Sequence, residues 1–357
     1  MERRKFLKKA VITAATTGAA ITAAPAIASG KIVWKLPSSF PKKAPGVGTN
    51  VVSFAKRVEE MSGGRLSFKV YSGGELVPPF AVEDAVQKGT VEIGHSTPYY
   101  SAGKNSALHF FSTVPFGMTA TEHTAWLSHG GGQKLWDEIY AERGLQAFYS
   151  GNSGVQSAGW FKKEIKSVKD LSGLNMRIAG LGGEAMRKLG VNAVLLPPPE
   201  IFPAFKSGAI DAAEWVGPML DQAFGLNKAA NICYVPAFHE PGAALEIVVN
   251  KKAFDALPKD LQAIVKNAAH ATSVETLAQF DYGNIMALKQ LKDKGVKFME
   301  FPEDVVAALQ KATAEVLAEQ EEKNAQFKKV HESYKAFLEP AKEYANLFQG
   351  TTYKQRS

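Results

Sequence analysis

The chain has 357 residues, of which 45% are hydrophobic and 22% charged, a globular usage that excludes a disordered or fibrous protein. Of the formal charge of +7, +4 sits in residues 1–28, where Arg3, Arg4, Lys5, Lys8 and Lys9 face Glu2 alone; the remaining +3 is too little for a nucleic-acid partner. A single cysteine, Cys233, excludes an internal disulfide framework, a cysteine-rich zinc site and a CxxC redox motif.

In chain order, residues 1–28 read first, as a cleavable export signal. A basic stretch ends at Lys9, a mildly apolar run covers 10–24, and Pro25 precedes Ala26-Ile27-Ala28, a small-x-small cleavage site that leaves Ser29 as the mature start. The run is too short for the ~20 residues that span a bilayer. Arg3-Arg4-Lys5-Phe6-Leu7-Lys8 resembles the bacterial twin-arginine export motif. No later segment offers eighteen uncharged apolar residues, so the mature chain is expected to be soluble and exported. No cysteine follows the cleavage site, which argues against a lipoprotein anchor.

The mature chain alternates short strands with helices. Strands are expected at 32–36, 66–71, 145–149, 174–178, 193–196, 245–250 and 296–301, and helical spacing runs from Val47 to Met61 before Gly63-Gly64. This alternation predicts α/β layers with mainly parallel sheets. Residues 85–94 are echoed by 204–213, each a helix ending in glycine that feeds an aliphatic-acidic pair into a short strand. The two strands then run into loops with proline and aromatics, His95-Ser96-Thr97-Pro98-Tyr99-Tyr100 and Glu214-Trp215-Val216-Gly217-Pro218. Helix-Gly-strand is a common phrase in α/β proteins, so the value of the echo is placement. Ligands of open α/β sheets bind beyond the carboxyl ends of strands, and two such lobes facing each other make a cleft. A helix over 259–294 follows, about 54 Å at 1.5 Å per residue, long enough to brace two lobes. A second run from Glu303 to about Leu338 stops near Pro340.

Enzyme motifs fail on inspection. Gly30-Lys31 and Gly103-Lys104 lack the Ser/Thr of a P-loop, and Gly151-Asn152-Ser153-Gly154-Val155 misplaces the last glycine of a nucleophile elbow. His239-Glu240 and His331-Glu332 lack the second histidine of a helical zinc site, and Cys233 between Ile232 and Tyr234 reads as a small buried hydrophobe. Gly130-Gly131-Gly132 reads as a loop. What remains is a set of polar residues in cleft-facing segments. Arg177 lies inside an apolar strand and needs a partner, either a ligand carboxylate or a protein one, and spacing alone does not choose. Gln156, Glu214 and Glu240 can supply hard oxygens to a cation; the plainer readings are an exposed loop carboxylate for Glu240 and a core aromatic for Trp215.

At these residues the sequence resembles the extracytoplasmic solute receptors of tripartite ATP-independent periplasmic (TRAP) transporters, the DctP family, and within it the alpha-keto acid or monocarboxylate branch. The resemblance runs from about Lys31 to the last helix. It rests on Gly74-Glu75-Leu76-Val77-Pro78-Pro79 with 82–94, on Ser172-Gly173-Leu174-Asn175-Met176-Arg177, on Leu195-Leu196-Pro197 through Glu214-Trp215-Val216-Gly217-Pro218, and on 250–258. It implies an α/β, two-lobed periplasmic binding-protein fold with a ligand cleft between lobes and a long helix spanning both. The implied organisation is an export signal of twin-arginine type at 1–28, lobe I from 29–154 with about 243–282, lobe II from 155–242 with about 283–338, and a C-terminal extension at 339–357. The resemblance also implies that Arg177 grips the substrate carboxylate, with Gln156, Trp215 and one of Tyr99 and Tyr100 beside it. A sodium or calcium ion is implied on Gln156, Glu214, the carbonyl of Trp215 and Glu240. Three anionic groups together, each like-charge pair costing about 4 kcal/mol at 4 Å in an effective dielectric of 20, call for a cation beyond the one charge of Arg177.

The expected function is therefore a periplasmic receptor for a small 2-oxo or 2-hydroxy monocarboxylate such as pyruvate, delivering it to small and large TRAP permease subunits. A homodimer through the C-terminal helix is left open. The alternatives are a dicarboxylate, sugar-acid or aromatic-acid receptor without metal, and, more remotely, a periplasmic hydrolase.

Overall fold

The structure, a computed structural model, describes residues 30–356, so the export-signal reading of 1–28 lies outside the described residues. β1 (Ile32–Pro37) and β2 (Leu66–Tyr71) pair in parallel across α1 (Val47–Met61), which buries Val47, Val51, Phe54 and Val58 at helical steps. α2 (Val82–Gln87) turns through Gly89 (φ 70°) into β3 (Ile93–Ser96), and α3 (Ala120–His129) and α4 (Gly132–Ala141) lead to β4 (Leu145–Asn152). The chain then crosses to β5 (Gly159–Phe161), β6 (Asn175–Arg177), α5 (Gly180–Lys188), β7 (Asn192–Val194), α6 (Pro198–Ser207), β8 (Ala212–Ala213), α7 (Pro218–Phe224) and β9 (Ile232–Tyr234). It returns at residues 235–243 to β10 (Ala244–Asn250) and α8 (Lys251–Asp255). α9 (Lys259–Asp293), β11 (Lys297–Met299), α10 (Glu303–Lys323), α11 (Ala325–Tyr344) and α12 (Thr351–Arg356) complete it.

Two sheets organise these elements, β3-β10-β4 and β11-β9-β5-β8-β6-β7, and a Ser38–His95 bridge sets β1 beside the first. The echoed segments end in different sheets, β3 and β8, and both glycines, Gly89 and Gly208, have positive φ (70° and 88°). The expectation of mainly parallel sheets is corrected. β10 runs antiparallel to β3 and β4, and β5 antiparallel to β8 and β9. The reason is connectivity. A strand that enters a lobe from the cleft must oppose the strands that end there, and β5 and β10 are the two strands the crossovers feed.

α9 joins the halves through its own buried residues. Leu261, Val265, Ala268 and Ala269 pack in a cluster with Trp34 and Ile247, whereas Phe280 and Leu291 pack with Trp160, Cys233 and Trp215. The long run after Glu303 is two helices, not one. Asn324 leaves helical geometry (φ −141°, ψ 110°), its Oδ1 accepts from the N–H groups of Gln326 and Phe327, and its Nδ2 donates to Asn105 Oδ1. Nor does Pro340 stop the chain. α11 continues through it to Tyr344, held by Val330, Tyr334 and Leu338, which are buried in the turns before it. Among the described residues no helix is long and apolar enough to cross a membrane.

Candidate functional site

The expected site residues leave the second sheet at one edge. Arg177 ends β6, Glu214 and Trp215 follow β8, Gln156 precedes antiparallel β5, and Glu240 follows β9. A backbone bond from Glu214 N–H to Arg177 C=O (2.9 Å) fixes the first two in register. From the first lobe, Thr97, Tyr99 and Tyr100 follow the carboxyl end of β3. The structure thus brings all seven expected residues together between the two sheets, where short strands with polar termini leave the ladder and backbone direction alone decides what faces the cleft.

Arg177 is 1% exposed, and of its two readings the structure supplies the protein partner. Its Nη1 donates to the Glu214 carbonyl and to Glu214 Oε2, each at 2.6 Å, which is the protein ion pair. Its Nε and Nη2 are buried without a partner, and that edge is the pair of parallel donors a carboxylate takes in bidentate fashion. Burial opposes the guanidinium charge, but Glu214 and the two phenols outweigh it and hold its pKa above the ordinary value. The guanidinium also lies 5.3 Å from the centroid of the Trp215 ring.

Glu240 is 1% exposed, which overturns its reading as an exposed loop carboxylate. Neither of its oxygens has a hydrogen-bond partner of good geometry, although Tyr99 and Gln156 lie near enough to favour its charged form. Burial, then the like charge of Glu214, pushes its pKa well up against the opposing Arg177, Tyr99 and Gln156. Gln156 is pinned on three sides: its N–H donates to the Glu240 carbonyl (3.2 Å), its carbonyl accepts from Ala237 (2.9 Å) and its Nε2 donates to Ser153 Oγ (2.8 Å). That leaves Gln156 Oε1 unpartnered, as is Glu214 Oε1. Trp215 meets its plainer reading, a buried ring packed 5.1 Å from Phe224. Burial raises the phenol pKa of both tyrosines; the next influence is Glu240 on Tyr99 and Arg177 on Tyr100.

Two residues of the site were missed. His239, dismissed for lacking a second histidine, is buried with its Nε2 3.7 Å from Glu214 Oε1 and both ring nitrogens unpartnered. Glu214, His239 and Glu240 offer donor atoms within 4.8 Å of one another. Gly182 makes room for the ring, since a Cβ there would stand 2.4 Å from that of His239. Asp221 is the other. Its Oδ1 accepts from Val216 N–H (3.0 Å) and its Oδ2 from Trp160 Nε1 (2.8 Å), with burial pushing its pKa up to about 7. Because a trans peptide points its C=O opposite its N–H, Asp221 turns the Trp215 carbonyl away from itself. Neither residue carries a sequence signal beyond position: one follows β9 and the other lies in a helix.

Unpartnered buried oxygens on Gln156, Glu214 and Glu240 are the donor set of a hard cation such as sodium or calcium, and the group fits the residues present. Residues 39–324 match the family model of bacterial extracellular solute-binding protein, family 7 (DctP). A monocarboxylate 2-oxoacid-binding periplasmic protein of Nostoc sp. is 44% identical over 342 residues, covering 94% of each chain. A TRAP transporter solute binding protein from Bordetella bronchiseptica, a mixed occupancy dimer with copurified calcium and picolinate, superposes with a TM-score of 0.90 at 38% identity, over 91% of this chain and 97% of that one. A TRAP periplasmic solute binding protein from Pseudoalteromonas atlantica with bound sodium and pyruvate gives a TM-score of 0.88 at 38% identity, over 91% and 99%.

Proposed function

The chain belongs to bacterial extracellular solute-binding protein family 7, the DctP family of TRAP solute receptors, and from that membership we propose that it closes over a small 2-oxo (or 2-hydroxy) monocarboxylate such as pyruvate. It is a receptor and not an enzyme, so the hydrolase alternative falls away. The observation that carries the substrate reading is the free Nε/Nη2 edge of Arg177 beside the unpartnered oxygens of Gln156, Glu214 and Glu240. Arg177, with Gln156, Tyr99, Tyr100 and Trp215, takes the carboxylate and keto group. Gln156, Glu214, the Trp215 carbonyl and Glu240 hold sodium or calcium, whose charge offsets the carboxylates. Sodium with pyruvate and calcium with picolinate in similar proteins support this pairing.

The lobes divide near 154 and 242, with α9 shared between them, and closure brings the two groups of residues around the ligand. The receptor works in the periplasm after export and delivers its ligand to TRAP permease subunits. A homodimer through the C-terminal helix is supported by Tyr344, Leu347, Phe348 and Tyr353, all more than half exposed, and by the dimer of the Bordetella protein. Light scattering of the full chain against one ending at 343 tests this; a monomer in both cases overturns it. Calorimetry with pyruvate, lactate and succinate tests the substrate class. Tight succinate binding that ignores chelator favours a metal-free dicarboxylate receptor and overturns the proposal.

A further inference from the structure

His239 has no task in the carboxylate and cation readings above. It is 1% exposed and, among the described residues, the one histidine with both ring nitrogens buried and unpartnered. A ring that only fills space has no use for two polar atoms, and each one buried without a partner is costly. Its place is fixed. The ring lies 5.1 Å from that of Phe238, and Gly182 of α5 leaves the room that its Cβ occupies. From there Nε2 stands 3.7 Å from Glu214 Oε1, which is itself unpartnered. Glu214, His239 and Glu240 together offer three donor atoms within 4.8 Å of one another.

Donors on a tetrahedral zinc ion stand about 3.4 Å apart at bonds of about 2.0–2.1 Å, so the edge from His239 to Glu214 needs a shift of only about 0.3 Å. The donor chemistry differs from that of oxygen alone. Carboxylate and carbonyl oxygens suit hard cations, whereas an imidazole nitrogen suits zinc and its first-row neighbours. Three protein ligands also leave coordination positions open, which the keto and carboxylate oxygens of one 2-oxo acid fill as a pair.

We propose that Glu214, His239 and Glu240 form a nitrogen-containing metal site that takes zinc or a similar first-row divalent cation in place of the hard one, sharing its two carboxylates. The inference rests on the cation reading above and extends it to a class of metal that oxygen donors do not select.

The test is calorimetry at pH 7 of zinc chloride and calcium chloride, each alone, on the metal-stripped full chain, as wild type, His239→Gln and His239→Ala. Glutamine keeps a polar side chain but exchanges the nitrogen ligand for an amide oxygen, and thermal melts in chelator establish that each variant is folded. The ratio of zinc to calcium affinity within one protein is read, so a general loss in a variant cancels. Wild type should bind one zinc about tenfold or more tighter than calcium, and both variants should lower that ratio at least tenfold. Calcium titrated into zinc-loaded wild type should give no binding heat, because the carboxylates are shared; this arm needs no variant. A ratio unchanged in His239→Gln, or calcium binding undiminished by zinc, overturns the nitrogen-containing site while the hard-cation reading stands. Wild type that binds neither metal removes both.

Discussion

Replacing Arg177 by lysine separates its two tasks. The guanidinium makes two contacts of 2.6 Å to Glu214 through Nη1 and keeps Nε and Nη2 free. Lysine is a point charge with no planar fork, so it can restore the ion pair with Glu214 or one bond to a ligand, but not both along with the second parallel donor. A hydrogen bond to a charged group contributes about 1.5–3 kcal/mol, and with partial replacement by the ammonium the net loss on binding should be about 2–4 kcal/mol. That is roughly 30- to 1000-fold in affinity. Stability should fall less, by about 1–2 kcal/mol, because the buried charge of Glu214 keeps a partner. Pyruvate calorimetry with calcium present, beside thermal melts, reads both numbers. Pyruvate binding within threefold of wild type would mean that Arg177 is only a structural ion pair and that the site has been misassigned.

The Tyr140 hydroxyl lies 3.0 Å from Glu83 Oε2 and 2.9 Å from Glu246 Oε2, yet has one hydrogen to give. Burial, then the charge of Glu83, pushes the Glu246 pKa well above 4.5, so Glu246 holds a proton in the folded state that it releases on unfolding. Its contribution to stability is full below pH 4.5 and is lost as pH rises; the melting temperature of Glu246→Gln should therefore fall less between pH 5 and 8 than that of wild type, and parallel profiles would exclude the proton. Asn324→Ala removes the cap that starts α11 and its bond to Asn105, and should cost about 1–2 kcal/mol in chemical denaturation without changing ligand affinity; no change in stability would contradict the cap. Gly182→Ala sets a Cβ against His239 and should displace the segment carrying Glu240, weakening calcium binding at least tenfold by calorimetry; calcium affinity equal to wild type would show that the segment yields freely.

Some of this was readable from residue type alone and some was not. Arg177 stood out because a guanidinium in an apolar strand must find an acceptor, and the structure gives it one partner and one free edge. The echo located both cleft loops because glycine at a helix end and the strand after it are local signals. Strand direction was not local: β5 and β10 oppose their neighbours because the chain crosses between lobes, which no window of sequence contains. β5 and β9, at three residues each, are too short to show an alternation. The break at Asn324 was hidden inside a charged helical run, and only its bonds to the following N–H groups reveal it as a cap. His239 meets Glu214 only once β8 and β9 are placed, and Asp221, though five residues from Val216, takes its N–H only once the turn into α7 is placed.

The most direct test of the account is the coupling between ligand and cation. Pyruvate is titrated into metal-stripped protein, then into the same protein with calcium, and the pair of titrations is repeated on Glu240→Gln. Two buried carboxylates and a ligand anion around one arginine predict that calcium strengthens pyruvate binding in wild type by at least tenfold, that pyruvate strengthens calcium binding by the same factor, and that the gain shrinks in the variant. Equal pyruvate affinity in stripped and calcium-loaded wild type, or tighter binding by Glu240→Gln with no metal present, would contradict it.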